Sequence, residues 1–397
     1  MHEQTSARGR KKSFGSRRAF SEGRARLDLP AEEEDGPKVF YNSKMSLNRD
    51  LAILFASSHF PAYRQLRICD PMTGSGVRAV RYVLETPNVL SVLAADTEPR
   101  TVETAQATAR LNGAESKTTV VESDANVLLA NHVNERFDLV DLDPFGSPAP
   151  FFENALRATL DGGVLAATAT DMGPLTGARA SACARKYGIR PVRSEFEKEM
   201  AVRILAACIC MTAGRLKLGI EIVFSHASDH YARICARVSK GTGLANLSAR
   251  SLGFVEYCPT CLRRAARDKL ESIETSCEDC TGNTRIGGPI WLGPIWDEPT
   301  VKHMIERTPL LQSSRLSEVQ EILACISEEQ NAPALHYTTD AFSRRLTLRP
   351  PAMSRVLNAL HEAGFSATRT HFNPTGFRTD ASCMEITSIL RALANVA

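Results

Sequence analysis

An α/β fold is predicted for this chain: a Rossmann-like, mostly parallel sheet, then a four-cysteine module, then an α+β C-terminal domain. Three observations carry that expectation. Short apolar runs alternate with helix-length segments between residues 66 and 170, two Cys-x2-Cys pairs stand at 258–261 and 277–280, and past Trp291 helical and strand-like stretches mix. Alternation of strands with helices of ten or so residues implies βαβ units and a sheet covered on both faces.

In order, "LRICD" (66–70) reads as a first strand, and "PMTGSGVRAV" supplies glycines and then a helical pattern. "VLSVLAAD" (89–96) is a second strand, "TVETAQATARLN" a helix, "TTVVESDA" a third strand ending near Asp124, "FDLVDLD" a fourth and "GGVLAATAT" (162–170) a fifth. The expected boundaries are a basic, disordered tail over 1–36, a Rossmann-like domain over 37–243, a zinc-ribbon-like module over 244–300 and a C-terminal domain over 301–397. The tail rests on composition: residues 1–26 hold eight Lys/Arg against two acids, with Gly and Ser between.

Composition bounds the function. At 397 residues, 43% hydrophobic and 23% charged, the chain can bury a large core in two or three domains. No apolar run reaches membrane-spanning length, and the first thirty residues are basic where a secretory signal needs an apolar stretch. A cytoplasmic location is expected. Eleven cysteines, odd in number and mostly in apolar segments, suit reduced thiols better than a disulfide framework. A net charge of +3 is mild, so a polyanion site requires local placement of charge.

Parallel sheets bind ligands at the carboxyl ends of their strands, and there stand Asp70, Asp96, Asp124 and Asp143. Each alone could be a helix cap or turn residue; four together point to a site. "GSGVRA" contains Gly74 and Gly76, which permit a tight turn and close backbone approach, and Asp96 lies twenty residues past Gly76, suited to ribose hydroxyls. An adenosine-containing cofactor follows, NAD or S-adenosylmethionine. The stretch "DLDPFGSPAPF" separates them, because an acid, a proline and an aromatic at a strand end serve methylation of an exocyclic base amine and have no use in hydride transfer. Asp143 supplies an acceptor for the amine N–H, Pro144 restricts Asp143 to extended geometry, and Phe145 offers a stacking face to an extruded base.

That stretch, with "VFYNSKMSLNRDLA" (39–52), "DPMTGSGVRAVRY" (70–82) and "RTHFNPTGFRTDA" (369–381), resembles the tRNA guanine-26 N2-dimethyltransferase family, in length most like its compact archaeal members. The resemblance implies a class I S-adenosylmethionine-dependent methyltransferase fold and transfer of methyl groups to N2 of guanosine 26 in tRNA, giving N2-methyl- and N2,N2-dimethylguanosine. It also implies contacts to S-adenosylmethionine from Arg49, Arg78, Asp96, Asp124 and Ala125, and places Phe40 opposite Phe145 around the base. Ser43 departs from the proline that the family often has.

Cys258, Cys261, Cys277 and Cys280 have zinc-ribbon spacing, and a structural Zn2+ is expected; the alternative is a metal-free loop. The C-terminal region reads as winged-helix-like. Six arginines (Arg344, Arg345, Arg349, Arg355, Arg369 and Arg378) against two acids between 336 and 378 suggest a groove for RNA phosphates, the alternative being a packing or dimerisation module. His230, His336, His361 and His371 show no ligand spacing. The rival readings are a nucleic-acid-binding regulator that senses S-adenosylmethionine, an NAD-dependent dehydrogenase and a DNA amino-methyltransferase. No membrane association and no obligate protein partner are indicated.

Overall fold

A computed structural model describes residues 17–30, 41–228, 230–270 and 276–395. Strands β1 (Arg17–Glu22) and β2 (Ala25–Pro30) form a hairpin. The first domain continues with α1 (Ser46–His59), β3 (Leu66–Asp70), α2 (Val77–Glu85), β4 (Val89–Asp96), α3 (Pro99–Leu111), β5 (Thr118–Glu122), α4 (Ala125–Asn131) and β6 (Phe137–Leu142). It closes with α5 (Phe152–Ala158), β7 (Thr159–Ala169), α6 (Met172–Leu175), α7 (Ala180–Tyr187), α8 (Glu197–Arg215), β8 (Leu218–Ala227) and β9 (Ala232–Lys240). Then come α9 (Thr242–Ala249), β10 (Leu252–Tyr257), β11 (Arg264–Arg267) and β12 (Arg285–Trp291). The last region holds α10 (Glu298–Arg307), α11 (Leu316–Glu329), β13 (Tyr337–Thr338), α12 (Thr339–Leu346), α13 (Met353–Glu362), β14 (Ala367–Arg369), β15 (Gly376–Thr379) and α14 (Cys383–Asn395).

The main sheet has seven strands in the order β5-β4-β3-β6-β7-β9-β8. The first five are parallel, and β9 runs antiparallel to both β7 and β8. Both faces of the central strands are buried, so these strands are near-continuous apolar runs whose successive side chains go to opposite faces. Ile68, Leu139, Val164 and Ala166 pack towards α1, α10 and α11, while Cys69, Val140, Leu165 and Ala167 pack towards α4, α5 and α8. The five strands expected from the sequence lie where that pattern places them. β8 and β9 did not emerge, because α6, α7 and α8 interrupt the βα rhythm before them.

Residues 17–30 correct the expected disordered tail, and the rest of it, 1–16 and 31–36, lies outside the described residues. The hairpin orders because it has somewhere to bury its apolar side: Ala25, Leu27 and Leu29 pack on Val77, Val80 and Ala109 of α2 and α3. Its backbone is also held, since Arg26 N–H donates to Asn112 Oδ1 at 2.8 Å and Arg24 N–H to Glu85 Oε1 at 3.1 Å. The C-terminal elements α11, β13, α12, α13, β14 and β15, with sheet order β13-β15-β14, follow the helix–strand–helix–helix–strand–strand order of a winged helix. Among the described residues no helix is long and apolar enough to cross a membrane.

Candidate active site

The carboxyl ends of β3, β4, β5 and β6 open into a cleft of about 870 Å³, whose lining includes Asp70, Gly74, Arg78, Asp96, Asp124, Ala125, Asp143, Pro144 and Phe145. The residues singled out in the first two strand-end motifs therefore meet those of the fourth. Gly74 and Gly76 both adopt positive φ, at 54° and 77°. At Gly76 the need is double, because a Cβ would come within 2.9 Å of Ala105 Cα on α3. The tight turn thus lets α2 and α3 close together and turns the Gly74 N–H towards Asp96 Oδ2 at 3.2 Å. Asp96 Oδ1 accepts from Glu98 N–H at 3.1 Å.

Asp124 is the N-cap of α4; its Oδ1 accepts from Asn126 N–H at 2.8 Å and Val127 N–H at 3.2 Å. The capping alternative and a position on the cleft are both realised in one residue, since a carboxylate has a second oxygen.

The Asp143–Gly146 loop is fixed from both sides. Gly146, at φ 85°, donates its N–H to Thr170 Oγ1 at 2.7 Å and accepts from Thr170 N–H at 2.9 Å. Pro144 is buried, whereas Phe145 is 75% exposed on the cleft wall. Asp143 Oδ2 accepts from Arg78 Nη2, and Oδ1 has no donor among the described residues.

Arg78 is 3% exposed, and its guanidinium is spent on the chain itself: Nη2 also donates to Asn48 Oδ1 at 2.9 Å, and Nη1 to Asp141 Oδ2 at 3.2 Å. Arg233 forks onto Asp141 with two bonds of 2.9 Å, and Tyr82 Oη donates to Asp141 Oδ2 at 2.6 Å. Burial raises the Asp141 pKa, but Arg233 and Arg78 outweigh it and hold the carboxyl at about 2. Beside them Asp70 is buried with, among the described residues, only the Thr73 hydroxyl donating to it, at 2.9 Å, and burial pushes it up to about 7.

Arg49 is likewise engaged. Its Nε and Nη2 fork onto Glu22 of the hairpin at 2.6 and 2.5 Å, and Nη2 donates to the Asn42 carbonyl at 3.0 Å. Arg49 and Arg78 both line the cleft, and carboxylates of the chain itself engage each guanidinium, because a buried guanidinium without a partner is costly. Glu22 was missed in the sequence reading, having been assigned to the tail. Burial raises its pKa, yet Arg49 and Arg81 bring it down to about 2. Phe40 lies outside the described residues; Tyr41, beside it, lines the cleft.

Cys258, Cys261, Cys277 and Cys280 converge, with all four Sγ atoms within 4.8 Å of one another. Cys258–Cys280 and Cys261–Cys277 stand at 3.5 Å, near the edge of about 3.8 Å that four Zn–S bonds of about 2.3 Å define. Each pair sits on a turn of the same form: Leu262 and Thr281, at φ 70° and 58°, return their N–H groups to the carbonyls of Cys258 and Cys277.

Of the six C-terminal arginines, Arg344, Arg345, Arg349, Arg355 and Arg369 are exposed. Arg378 is not available to a ligand: it is 2% exposed and bridges Glu329 at 2.5 Å and Glu199 at 3.1 Å. Charge counting along the chain did not separate it from the others because its partners lie 49 and 179 positions away. His336 and His371 are ligands of this junction, bonded to Glu199 at 2.9 Å and Glu329 at 2.5 Å.

This sheet, with its glycine turn and acidic carboxyl edge, has the α/β fold of S-adenosylmethionine-dependent methyltransferases. The sequence matches the N2,N2-dimethylguanosine tRNA methyltransferase family over residues 23–391. It is 35% identical over 392 residues to the tRNA (guanine(26)-N(2))-dimethyltransferase of Thermococcus kodakarensis, covering 94% of this chain and 98% of that protein. It is 31% identical over 362 residues to the tRNA (guanine(26)-N(2)/guanine(27)-N(2))-dimethyltransferase of Aquifex aeolicus, covering 90% and 91%. The structure of Trm1 from Pyrococcus horikoshii in complex with S-adenosyl-L-methionine superposes with a TM-score of 0.84 at 31% identity, covering 94% of this chain and 99% of that one. The chain belongs to the N2,N2-dimethylguanosine tRNA methyltransferase family.

Proposed function

We propose that the cleft holds S-adenosylmethionine and one extruded guanine side by side, and that methyl groups pass to N2 of guanosine 26 in tRNA. One observation carries the assignment of roles: Arg78 fixes one oxygen of Asp143 while the other is left to the cleft, next to a protruding phenyl ring. S-adenosylmethionine supplies a methyl group on a positively charged sulfur. An exocyclic guanine amine is a poor nucleophile because its lone pair is delocalised into the ring. Asp143 Oδ1, accepting an N2–H, draws the proton and lets the nitrogen pyramidalise; the N2 lone pair forms the new N–C bond, the C–S pair returns to sulfur and the proton leaves to the carboxylate. After one transfer N2 still carries one N–H for Asp143. After the second it carries none, which ends the sequence at the dimethyl product.

The remaining residues orient. Asp96 takes the ribose hydroxyls, the Asp124–Ala125 edge takes the adenine, and the Gly74–Gly76 turn lets the cofactor approach the backbone. Arg49 offers its remaining Nη1 to the methionine carboxylate in place of a whole fork. Phe145 stacks on the flipped base. The four cysteines hold one structural Zn2+; a four-thiolate site has no open position for chemistry and acts by fixing the turns that carry it. The exposed C-terminal arginines meet the tRNA backbone.

Incubating unmodified tRNA transcripts with protein and S-adenosylmethionine, followed by nucleoside mass spectrometry, tests the reading. N2-methylguanosine should appear first and N2,N2-dimethylguanosine later, and a transcript with adenosine at position 26 should yield neither. Methyl groups on another atom, or none on the guanosine 26 transcript, would refute it.

A further inference from the structure

We propose that residues 179–193 form a track for the sugar–phosphate backbone of the RNA, running from the mouth of the active-site cleft to the seam between the cysteine module and the C-terminal domain. The proposal rests on the methyltransferase reading and names the surface that carries the substrate.

Charge is the first ground. Residues 172–194 contain Arg179, Arg185, Lys186, Arg190 and Arg193 and no acid at all. All five are exposed, and among the described residues only Lys186 has an ion-pair partner, Asp171 at 2.8 Å. Other exposed arginines are in part paired, as Arg157 is with Glu153 and Arg237 with Glu221, and in part unpaired among the described residues, as Arg100, Arg110 and Arg250 are; residues 172–194 differ in gathering five cations into one acid-free run. A row of four cations without counter-charges in the chain is matched by anions at regular spacing, which a nucleic-acid backbone supplies.

Continuity is the second ground. Arg179, Arg185 and Lys186 line a cleft of about 660 Å³ that shares Thr170 and His230 with the active-site cleft. Thr170 is the residue that pins Gly146, so this end of the track abuts the loop carrying Asp143. At the other end Arg193 joins Arg285, Arg344 and Arg345 around a cleft of about 680 Å³ that Glu195, Glu197 and Asp340 also line, Glu195 being paired with Arg264. The track thereby connects the site of base extrusion to the exposed arginines of α12.

Rigidity is the third. Tyr187 Oη donates to Asp171 Oδ1 at 2.6 Å, so both Tyr187 and Lys186 tie α7 to the end of β7. Gly177, at φ 82°, lies so close that a Cβ would stand 2.9 Å from Arg193 N; the turn entering α7 rests on the backbone leaving it. The surface is preformed, and little ordering opposes binding.

The test compares the wild-type chain with the Arg179→Gln/Arg185→Gln double variant, measuring the Kd for an unmodified tRNA transcript across a salt series and the Kd for S-adenosylmethionine. The variant should bind tRNA about tenfold or more weakly near physiological salt, and the slope of log Kd against log salt should fall by about 1 to 2, the loss of up to two phosphate contacts. Cofactor affinity should stay at the wild-type level, and Arg110→Gln, on α3 in the other half of the sheet, should change neither quantity. Arg179→Lys/Arg185→Lys should recover most of the slope. A Gln variant with wild-type tRNA affinity and slope overturns the track, as does a folded Lys variant that fails to recover. Either result leaves the methyltransferase reading intact, whereas wild-type protein that methylates no tRNA defeats that reading and not the track.

Discussion

Asp70 ends β3 with its carboxyl inside the fold, where burial lifts its pKa from 3.8 to about 7 against the pull of Arg78 and the Thr73 hydroxyl. A carboxyl raised in this way favours folding in its protonated form. Its contribution is complete below about pH 4 and is lost as pH climbs through 7. Asp70→Asn does not titrate, so the variant should gain stability over wild type between pH 4 and 7, up to a ceiling of ~4 kcal/mol. Thermal melts across that range without cofactor measure it; a difference independent of pH would show that Asp70 is not held neutral. The carboxyl positions themselves were readable because an acid is a poor choice for a buried strand end. Their partners were not: Glu22 against Arg49 and Asp143 against Arg78 are pairs separated by 27 and 65 positions, and no local pattern announces them.

Short continuous apolar runs were readable in the same way, since both faces of β3, β6 and β7 are buried and the run length fixes the element. The β1–β2 hairpin was not, because its one apolar side, Ala25, Leu27 and Leu29, is short and sits in basic sequence that composition assigns to a tail. The cysteine turns lie at the readable extreme, as spacing alone predicted four converging sulfurs. A segment of three short strands, β11-β10-β12, has little core of its own, and the structural Zn2+ proposed for the four cysteines would supply stability that packing does not. Cys277→Ser should lower zinc content, read by atomic emission, and reduce the melting temperature by several degrees, corresponding to a few kcal/mol. Unchanged zinc stoichiometry with an unchanged melt would rule the site out.

The domains are joined through buried charge. Glu199 on α8 meets Arg203, His336 and Arg378, while Glu329 on α11 meets His371 and the same Arg378. Burial opposes ionisation of Glu199, but Arg378 and Arg203 hold its pKa well below the usual carboxylate range. Arg264 adds a second joint, stacked 3.9 Å over the Tyr337 ring and bonded to Glu195. These buried pairs fix the C-terminal elements against the seven-stranded sheet domain. Arg378→Gln should cost about 3–5 kcal/mol, because it strands two buried carboxylates. Arg378→Gln with Glu329→Gln should cost less than the single change. Equal or greater loss in the double variant, by denaturant unfolding, would mean that Arg378 stabilises by packing and not by charge.

Arg78 holds Asp143 Oδ2, and the proposed function gives Oδ1 to the reacting amine. The direct measurement is the single-turnover rate of Asp143→Ala on guanosine 26 of an unmodified tRNA transcript, alongside its affinity for S-adenosylmethionine. The rate should fall more than about 100-fold, the loss of ~2.7 kcal/mol or more of transition-state stabilisation, while cofactor affinity stays within about threefold of wild type. A variant that keeps more than about a tenth of the wild-type rate, or whose loss is matched by the loss of cofactor binding, would contradict the role given to this carboxylate.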